Sequence, residues 1–353
     1  MVVVPSNGVL RKEFDAITKV ALLPRKPQIS SAPGIIDFFR YVVKRILFPY
    51  DMWRFRNKLN RFQPDLIFAN TIATGEMLQL VSFLKAPVLL HVLEMNYAQL
   101  IWGKANLKQV QRYAHHVVAI NGAVKSDLIQ NGFEAANISI IELPVMIKPQ
   151  AVAEQHHTKS TELVVGASGT IEWRKGADLF ILLAKQMCSL QPERKIKFRW
   201  LGKPVDEAYL QQLKYDLQKA EVAHIVEFLP STPDPLSVYK TFDVFVLTAR
   251  EEPFGLAAAE CAAMGIPVIM FEKAGGFESF VAHEAAMSVP FPDTSAMANT
   301  ILGLVGDQER LQHLRRNANR YISDRHDTDK NFTAMLELIS SISETPIKNK
   351  SFT

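Results

Sequence analysis

The stretch from Phe242 to Met270 dictates a strand, a loop, a helix and a second strand in close succession. Phe242-Asp243-Val244-Phe245-Val246-Leu247 is short, mostly apolar and β-branched, the mark of a strand buried in a parallel sheet. Leu256 to Met264 is Ala-rich and helix-prone, Gly265 and Pro267 stop it, and Val268-Ile269-Met270 begins the next strand. Between strand and helix lies Arg250-Glu251-Glu252-Pro253-Phe254-Gly255. Glu252 therefore stands in a loop at the C-terminal end of a strand, and Glu260 about one turn into the following helix. That edge is where an open parallel sheet binds a ligand.

The residue types there define a chemistry. Gly255 and Leu256 open the helix behind the Pro253-Phe254 turn, and free amides at a helix start favour an anion such as a diphosphate. A carboxylate such as Glu260 accepts hydrogen bonds from the paired hydroxyls of a ribose, and Glu252 at the loop tip does the same for sugar hydroxyls. Two acids at one spacing are commonly solvated side chains. The strand, the turn and the Ala-rich helix around them favour a nucleotide-sugar site instead.

The rest of the chain repeats the alternation. Strand-like segments at Met1–Val4, Leu66–Asn70, Val88–Val92, Val117–Ile120 and Ile138–Glu142 are separated by helical ones such as Gly75–Phe83 and Val124–Gln130, which predicts a parallel sheet covered by helices. Pro149 to Ser160 is polar and aperiodic and reads as a linker (150–160) between residues 1–149 and 161–327. Strands resume at Leu163–Ala167, Lys197–Leu201, Ile225–Phe228 and Val244–Leu247. A helix from Leu302 to Arg325 precedes a last one within 328–344, and the tail 345–353 is expected to be disordered.

At 353 residues the chain is long enough for two domains, each with a core. No segment approaches the ~18 apolar residues of a membrane span, and the start lacks the pattern of a signal peptide. Cys188 and Cys261, in apolar helical surroundings, read as free thiols in a reducing compartment. Residues 1–150 hold 18 Lys+Arg and 10 Asp+Glu, a balance of +8, and the remaining 22 and 26 give −4. A basic first half points to an anionic or membrane-bound partner. Phe38 to Arg61 sharpens that expectation: Phe38, Phe39, Val42, Val43, Ile46 and Leu47 near helical spacing, basic residues on other faces, Pro49 as a break, then Trp53 among further Arg and Lys. A core-facing helix with a solvated basic face is the plainer alternative. Asp327-Thr328-Asp329 reads as a helix cap rather than a metal site, and neither a catalytic metal nor a nucleic-acid partner is expected.

Glu252 and Glu260, with seven residues between them around Pro-Phe-Gly, together with Gly275-Gly276-Phe277-Glu278, resemble the retaining enzymes of glycosyltransferase family 4. The resemblance covers Leu163 to Asp327 well and the first half more weakly. It implies an α/β architecture of the GT-B kind: two Rossmann-like parallel-sheet domains facing a cleft, an acceptor side first, a nucleotide-sugar side second, and a C-terminal helix crossing back. It implies transfer of a sugar from a UDP- or GDP-type nucleotide diphosphate sugar to a glycan or lipid-linked acceptor, without a cofactor, on the cytoplasmic side of a membrane.

In Gly169-Thr170-Ile171-Glu172-Trp173-Arg174-Lys175-Gly176, Lys175 matches the family's phosphate-holding Lys, while Thr170 stands where the family carries Arg and Arg174 is the nearest substitute. Gly169 opens that loop. His91, in His91-Val92-Leu93-Glu94, matches an active-site His if the segment stays extended, and Leu93 replaces a second His. Gly202 and Leu229 match strand ends that hold the base through backbone groups. Relatives begin with a strand, a Gly-rich loop and a helix ahead of the segment that Val2–Leu10 resembles. Two other readings stay open: a GT-B sugar-nucleotide epimerase, and a non-catalytic GT-B binding or partner protein.

Overall fold

The computed structural model describes residues 1–4, 11–24, 27, 34–147, 162–190 and 194–344. The expected linker and tail lie outside the described residues. The first half consists of β1 (Val2–Val4), α1 (Arg11–Ile17), β2 (Val20–Leu22), α2 (Ile35–Phe62), β3 (Ile67–Asn70), α3 (Gly75–Val81), β4 (Val88–Val92), α4 (Asn96–Tyr113), β5 (His116–Ala119), α5 (Gly122–Gln130) and β6 (Ile138–Ile140). The second consists of β7 (Glu162–Ser168), α6 (Ala177–Ser189), β8 (Lys195–Leu201), α7 (Glu207–Lys219), β9 (Val226–Leu229), α8 (Pro235–Tyr239), β10 (Val244–Leu247), α9 (Leu256–Ala263), β11 (Val268–Phe271), α10 (Glu278–Ala282), β12 (Met287–Val289), α11 (Thr294–Gly306), α12 (Gln308–Arg325) and α13 (Thr328–Glu344).

Both halves are Rossmann-like. Strands β3, β4, β5 and β6 form one parallel sheet in chain order, and the second sheet runs β12-β11-β10-β7-β8-β9, also parallel. In the second sheet the strand order reverses between β7 and β10. The loops after those two strands are thereby splayed around a crevice at the carboxyl edge, the place an α/β sheet offers a ligand. Apolar burial fixes that frame: Phe180 packs edge-on against Phe198 and Trp200 at 5.1 and 5.3 Å beneath β7 and β8.

The halves are strapped together behind the cleft. After α12, Arg325 pairs with Glu142 at 2.9 Å, the Val145 N–H donates to the His326 carbonyl at 3.0 Å, and the His326 ring meets the Leu143 carbonyl at 2.9 Å. Asp327 caps α13 through the Lys330 N–H, as its sequence position implies.

The first half departs from expectation in three ways. β1 does not join the main sheet but pairs with β2, a strand the alternation did not reveal, in a separate two-stranded sheet. α4 also went unread, since its apolar spacing is weak and Gly103 kinks it at φ 80°. Pro49 breaks nothing: α2 runs through it from Ile35 to Phe62. Only one N–H is lost there, and Met52, Phe55 and Leu59 anchor the following turns in the core.

Candidate active site

Between the two sheets lies a cleft of about 680 Å³. Its floor is the second sheet's switch point. The β7 loop contributes Gly169, Thr170, Glu172, Arg174 and Lys175, the β10 loop contributes Glu251 to Gly255, and α9 contributes Leu256, Ala257, Ala258 and Glu260. Leu93, Glu94 and Tyr97 face them from the first half.

Glu252 is the best-held side chain of the set. Its residue is only 7% exposed. One carboxylate oxygen pairs with the Lys175 ammonium, and the other accepts the Gly255 N–H at 3.2 Å. Its backbone bonds a neighbouring loop on both sides: N–H to the Ala274 carbonyl at 2.6 Å, and carbonyl from the Gly276 N–H at 3.0 Å. That approach explains the glycine pair. A Cβ on Gly275 would strike the Glu252 carbonyl and the Met95 sulfur, and one on Gly276 would strike the Pro253 carbonyl and the Asn121 amide.

Gly255 stands as N-cap of α9 at φ 80°, ψ 51°. Helix geometry leaves the amides of Leu256, Ala257 and Ala258 without intrahelical partners, and all three residues line the cleft. Leu256 is largely exposed, whereas Phe254 is buried with its ring 5.2 Å from that of His326. Glu260 points into the same space, and burial pushes its carboxyl above the usual carboxylate range. Near it, the Tyr239 and Ser168 hydroxyls are 3.0 Å apart, and burial raises the Tyr239 phenol to about 12.

Arg174 reaches the cleft wall but is engaged. It donates to the Glu251 carbonyl at 2.8 Å and to Glu172 at 2.8 Å. Lys175, by contrast, has its ammonium on the Glu252 carboxylate, a single partner among the described residues.

Three expected residues lie elsewhere. His91 does not line the cleft. β4 ends at Val92, so the extended geometry that would bring His91 alongside Leu93 stops short. The His91 ring instead meets Asn70 at 3.2 Å and sits 5.8 Å from Phe68, and burial lowers its pKa. Gly202 and Leu229 also stay off the cleft's lining, and the Gly202 N–H donates to the Leu229 carbonyl at 2.9 Å.

The first half supplies what the sequence left unread. Glu94 is buried, accepts the Leu93 N–H at 3.2 Å and the Ile72 N–H at 3.4 Å, and is pushed up by burial. Tyr97 opens α4, and its N–H donates to both Glu251 carboxylate oxygens at 2.9 and 3.2 Å. Its ring lies 5.6 Å from that of Trp173, whose other neighbour is the Arg250 guanidinium at 4.3 Å. A strand-end acid and an aromatic at a helix start were the available signals, too common to single out. Among the described residues no group of three or more His, Cys, Asp and Glu side chains is placed to share a metal ion.

Residues 150–321 match the family model described as Glycosyl transferases group 1. The chain is 29% identical over 161 residues to a D-inositol 3-phosphate glycosyltransferase of Corynebacterium diphtheriae, covering 45% of this chain and 37% of that protein. It is 28% identical over 152 residues to a lipopolysaccharide core biosynthesis mannosyltransferase of Rhizobium meliloti, 42% of each. It is 23% identical over 211 residues to a capsular polysaccharide biosynthesis glycosyltransferase of Staphylococcus aureus, 60% of this chain and 54% of that one. These matches span about half or less of the relatives' own length. Among solved structures, Anabaena HepE in complex with UDP and glucose superposes with a TM-score of 0.73 over 96% of this chain and 91% of that chain, at 20% identity. Sucrose-phosphate synthase from Thermosynechococcus elongatus gives 0.70 over 89% and 82%, at 19% identity. At those identities the likeness establishes the fold, which is GT-B.

Proposed function

We propose that this protein, built around a glycosyl transferases group 1 domain, is a retaining glycosyltransferase that moves a sugar from a UDP- or GDP-type diphosphate sugar to a glycan or lipid-linked acceptor. One observation carries the reading. Lys175, Glu252, Glu260 and the first turn of α9 converge on one cleft at the switch point of a parallel sheet. A ribose, a diphosphate and a sugar, the parts of a nucleotide sugar, each have a group of complementary chemistry there: Glu260, the α9 amides with Lys175, and Glu252.

Donor binding exchanges partners. The diphosphate takes the amides of α9 and the Lys175 ammonium, and Glu252, released from Lys175, accepts from sugar hydroxyls. Glu260 accepts from the ribose. In the transfer step the bond between the anomeric carbon and the phosphate oxygen breaks while the acceptor oxygen bonds that carbon from the same face. The acceptor's proton passes to the departing diphosphate. Lys175 and the α9 amides stabilise the charge that develops there. Glu94 and Tyr97 form the opposite wall, where an acceptor hydroxyl would lie.

The test is a thermal-shift panel of UDP, GDP, ADP and their sugar conjugates on the wild type and on Glu260→Gln. A ligand at about 100 times its dissociation constant adds about 2.7 kcal/mol. A shift of several degrees with one nucleotide, lost in the variant, is expected. Conversion of the donor without acceptor would replace the reading with an epimerase. Absence of any nucleotide shift would replace it with a non-catalytic binding protein.

A further inference from the structure

α2 carries two apolar faces, and only one is used. Met52, Phe55 and Leu59 point into the core. On the other side Ile36, Phe39, Val43, Ile46, Tyr50 and Trp53 recur every third or fourth residue and lie on one arc of the helix. All six are exposed, Ile46 at 70%, Ile36 at 68% and Phe39 at 64%, and the two aromatic rings at the stripe's end stack at 5.9 Å. A continuous uncovered stripe of this size marks an interaction surface.

Its charge identifies the partner. The helix holds seven basic residues, Arg40, Lys44, Arg45, Arg54, Arg56, Lys58 and Arg61, against Asp37 and Asp51. Paired with a second copy of itself in the manner of a coiled coil, the stripe would set seven basic against two acidic residues in each helix, like charge against like, with Pro49 beside the seam. An anionic bilayer satisfies both features at once: acyl chains take the stripe, and headgroups take the guanidinium and ammonium groups. A groove of about 970 Å³ beside the later turns, with Lys19, Arg54, Lys58 and Arg61 on its walls, continues the basic surface. No helix of the described residues is long and apolar enough to cross a membrane.

Arg56 lies 4.4 Å from the ring of Phe83, in the connection between α3 and β4, which ties the later turns of α2 to the first half.

We infer that the outer face of α2 is a docking surface for an anionic lipid bilayer. The surface stands independently of what the cleft binds. It is tested by co-sedimentation of the full chain with phosphatidylcholine vesicles, with and without phosphatidylglycerol, at low and high salt. Binding that needs phosphatidylglycerol and falls with salt is expected. It should be lost in Ile46→Asp, and weakened about fivefold for each basic residue removed in Arg40→Gln and Lys44→Gln. Circular dichroism and the thermal transition should stay unchanged in all three, since the substituted side chains are exposed. Equal binding to neutral vesicles, or none to either, overturns the inference. So does a concentration-dependent dimer that Ile46→Asp dissolves, which would assign the stripe to a second copy.

Discussion

Glu252 and Lys175 satisfy each other, and that arrangement has an energetic signature. The side chains are 9% and 18% exposed. Removing one partner strands a nearly buried charge, at a cost between those of surface and buried pairs. Lys175→Ala should lower the unfolding free energy by about 2 kcal/mol. Adding Glu252→Gln should restore most of it, because the amide oxygen still accepts the Gly255 N–H and no charge remains. Sugar transfer should stay lost in both variants. Urea titrations of the single and double variants check this, and a double variant no more stable than Lys175→Ala would refute the coupling. Glu260 behaves oppositely. Its folded pKa lies above its usual 4.5, as do those of Glu94 and Glu251, all chiefly through burial. Below pH 4.5 each is neutral in both states and contributes nothing. As pH rises past that value the unfolded chain ionises first, so stability falls through the window. Glu260→Gln should thus raise the melting temperature at pH 7 but not at pH 4, while abolishing the nucleotide shift. A gain of equal size at both pH values would show that the carboxylate's charge is not the cause.

At the level of elements, what could be read from the chain depended on how local its determinants are. β7, β10, β11 and α9 were legible because apolar runs are interrupted by Gly and Pro at fixed places. The acidic pair followed, since its position depends only on where β10 ends and α9 begins. α4 and β2 were not legible, because one is amphipathic only weakly and the other is three residues long. Nor could sequence place His91 off the cleft, because that depends on where pairing between β4 and its neighbours stops. Gly275 and Gly276 were recognised as a motif, but their reason is tertiary: two loops cross with no room for a Cβ. Gly276→Ala should force the loop away from the Pro253 carbonyl, cost about 1–3 kcal/mol, and displace Glu252, whose backbone hangs on the same crossing. Denaturation midpoint and transfer rate should fall together, and a loss of stability with full activity would show that the crossing does not position Glu252.

The whole molecule is a clamp with a fixed side and a working side. The strap of Glu142, Leu143 and Val145 on Arg325 and His326 closes the back. Across the mouth, Glu251 caps α4 through the Tyr97 N–H, and the Asn121 amide donates to the Pro253 carbonyl at 2.5 Å. Trp173 is held between Tyr97 on one half and Arg250 on the other. Glu251 thus satisfies an otherwise orphaned helix amide of the opposite half, at the positive end of its dipole. Its neighbour Glu252 lines the cleft and pairs with Lys175, so the contact between halves and the candidate site are carried by adjacent residues of one loop. Glu251→Ala should release the working side alone. The radius of gyration in solution should rise, since the strap remains as the hinge. Nucleotide affinity should change little, because the groups proposed to hold diphosphate and ribose all come from the second half. Transfer should fall about tenfold to a hundredfold, the range expected when a reacting pair loses its positioning. Glu251→Gln, which keeps an acceptor for the Tyr97 N–H, should recover part of that loss. Equal weakening of nucleotide binding and of transfer would identify Glu251 as a donor contact rather than a latch.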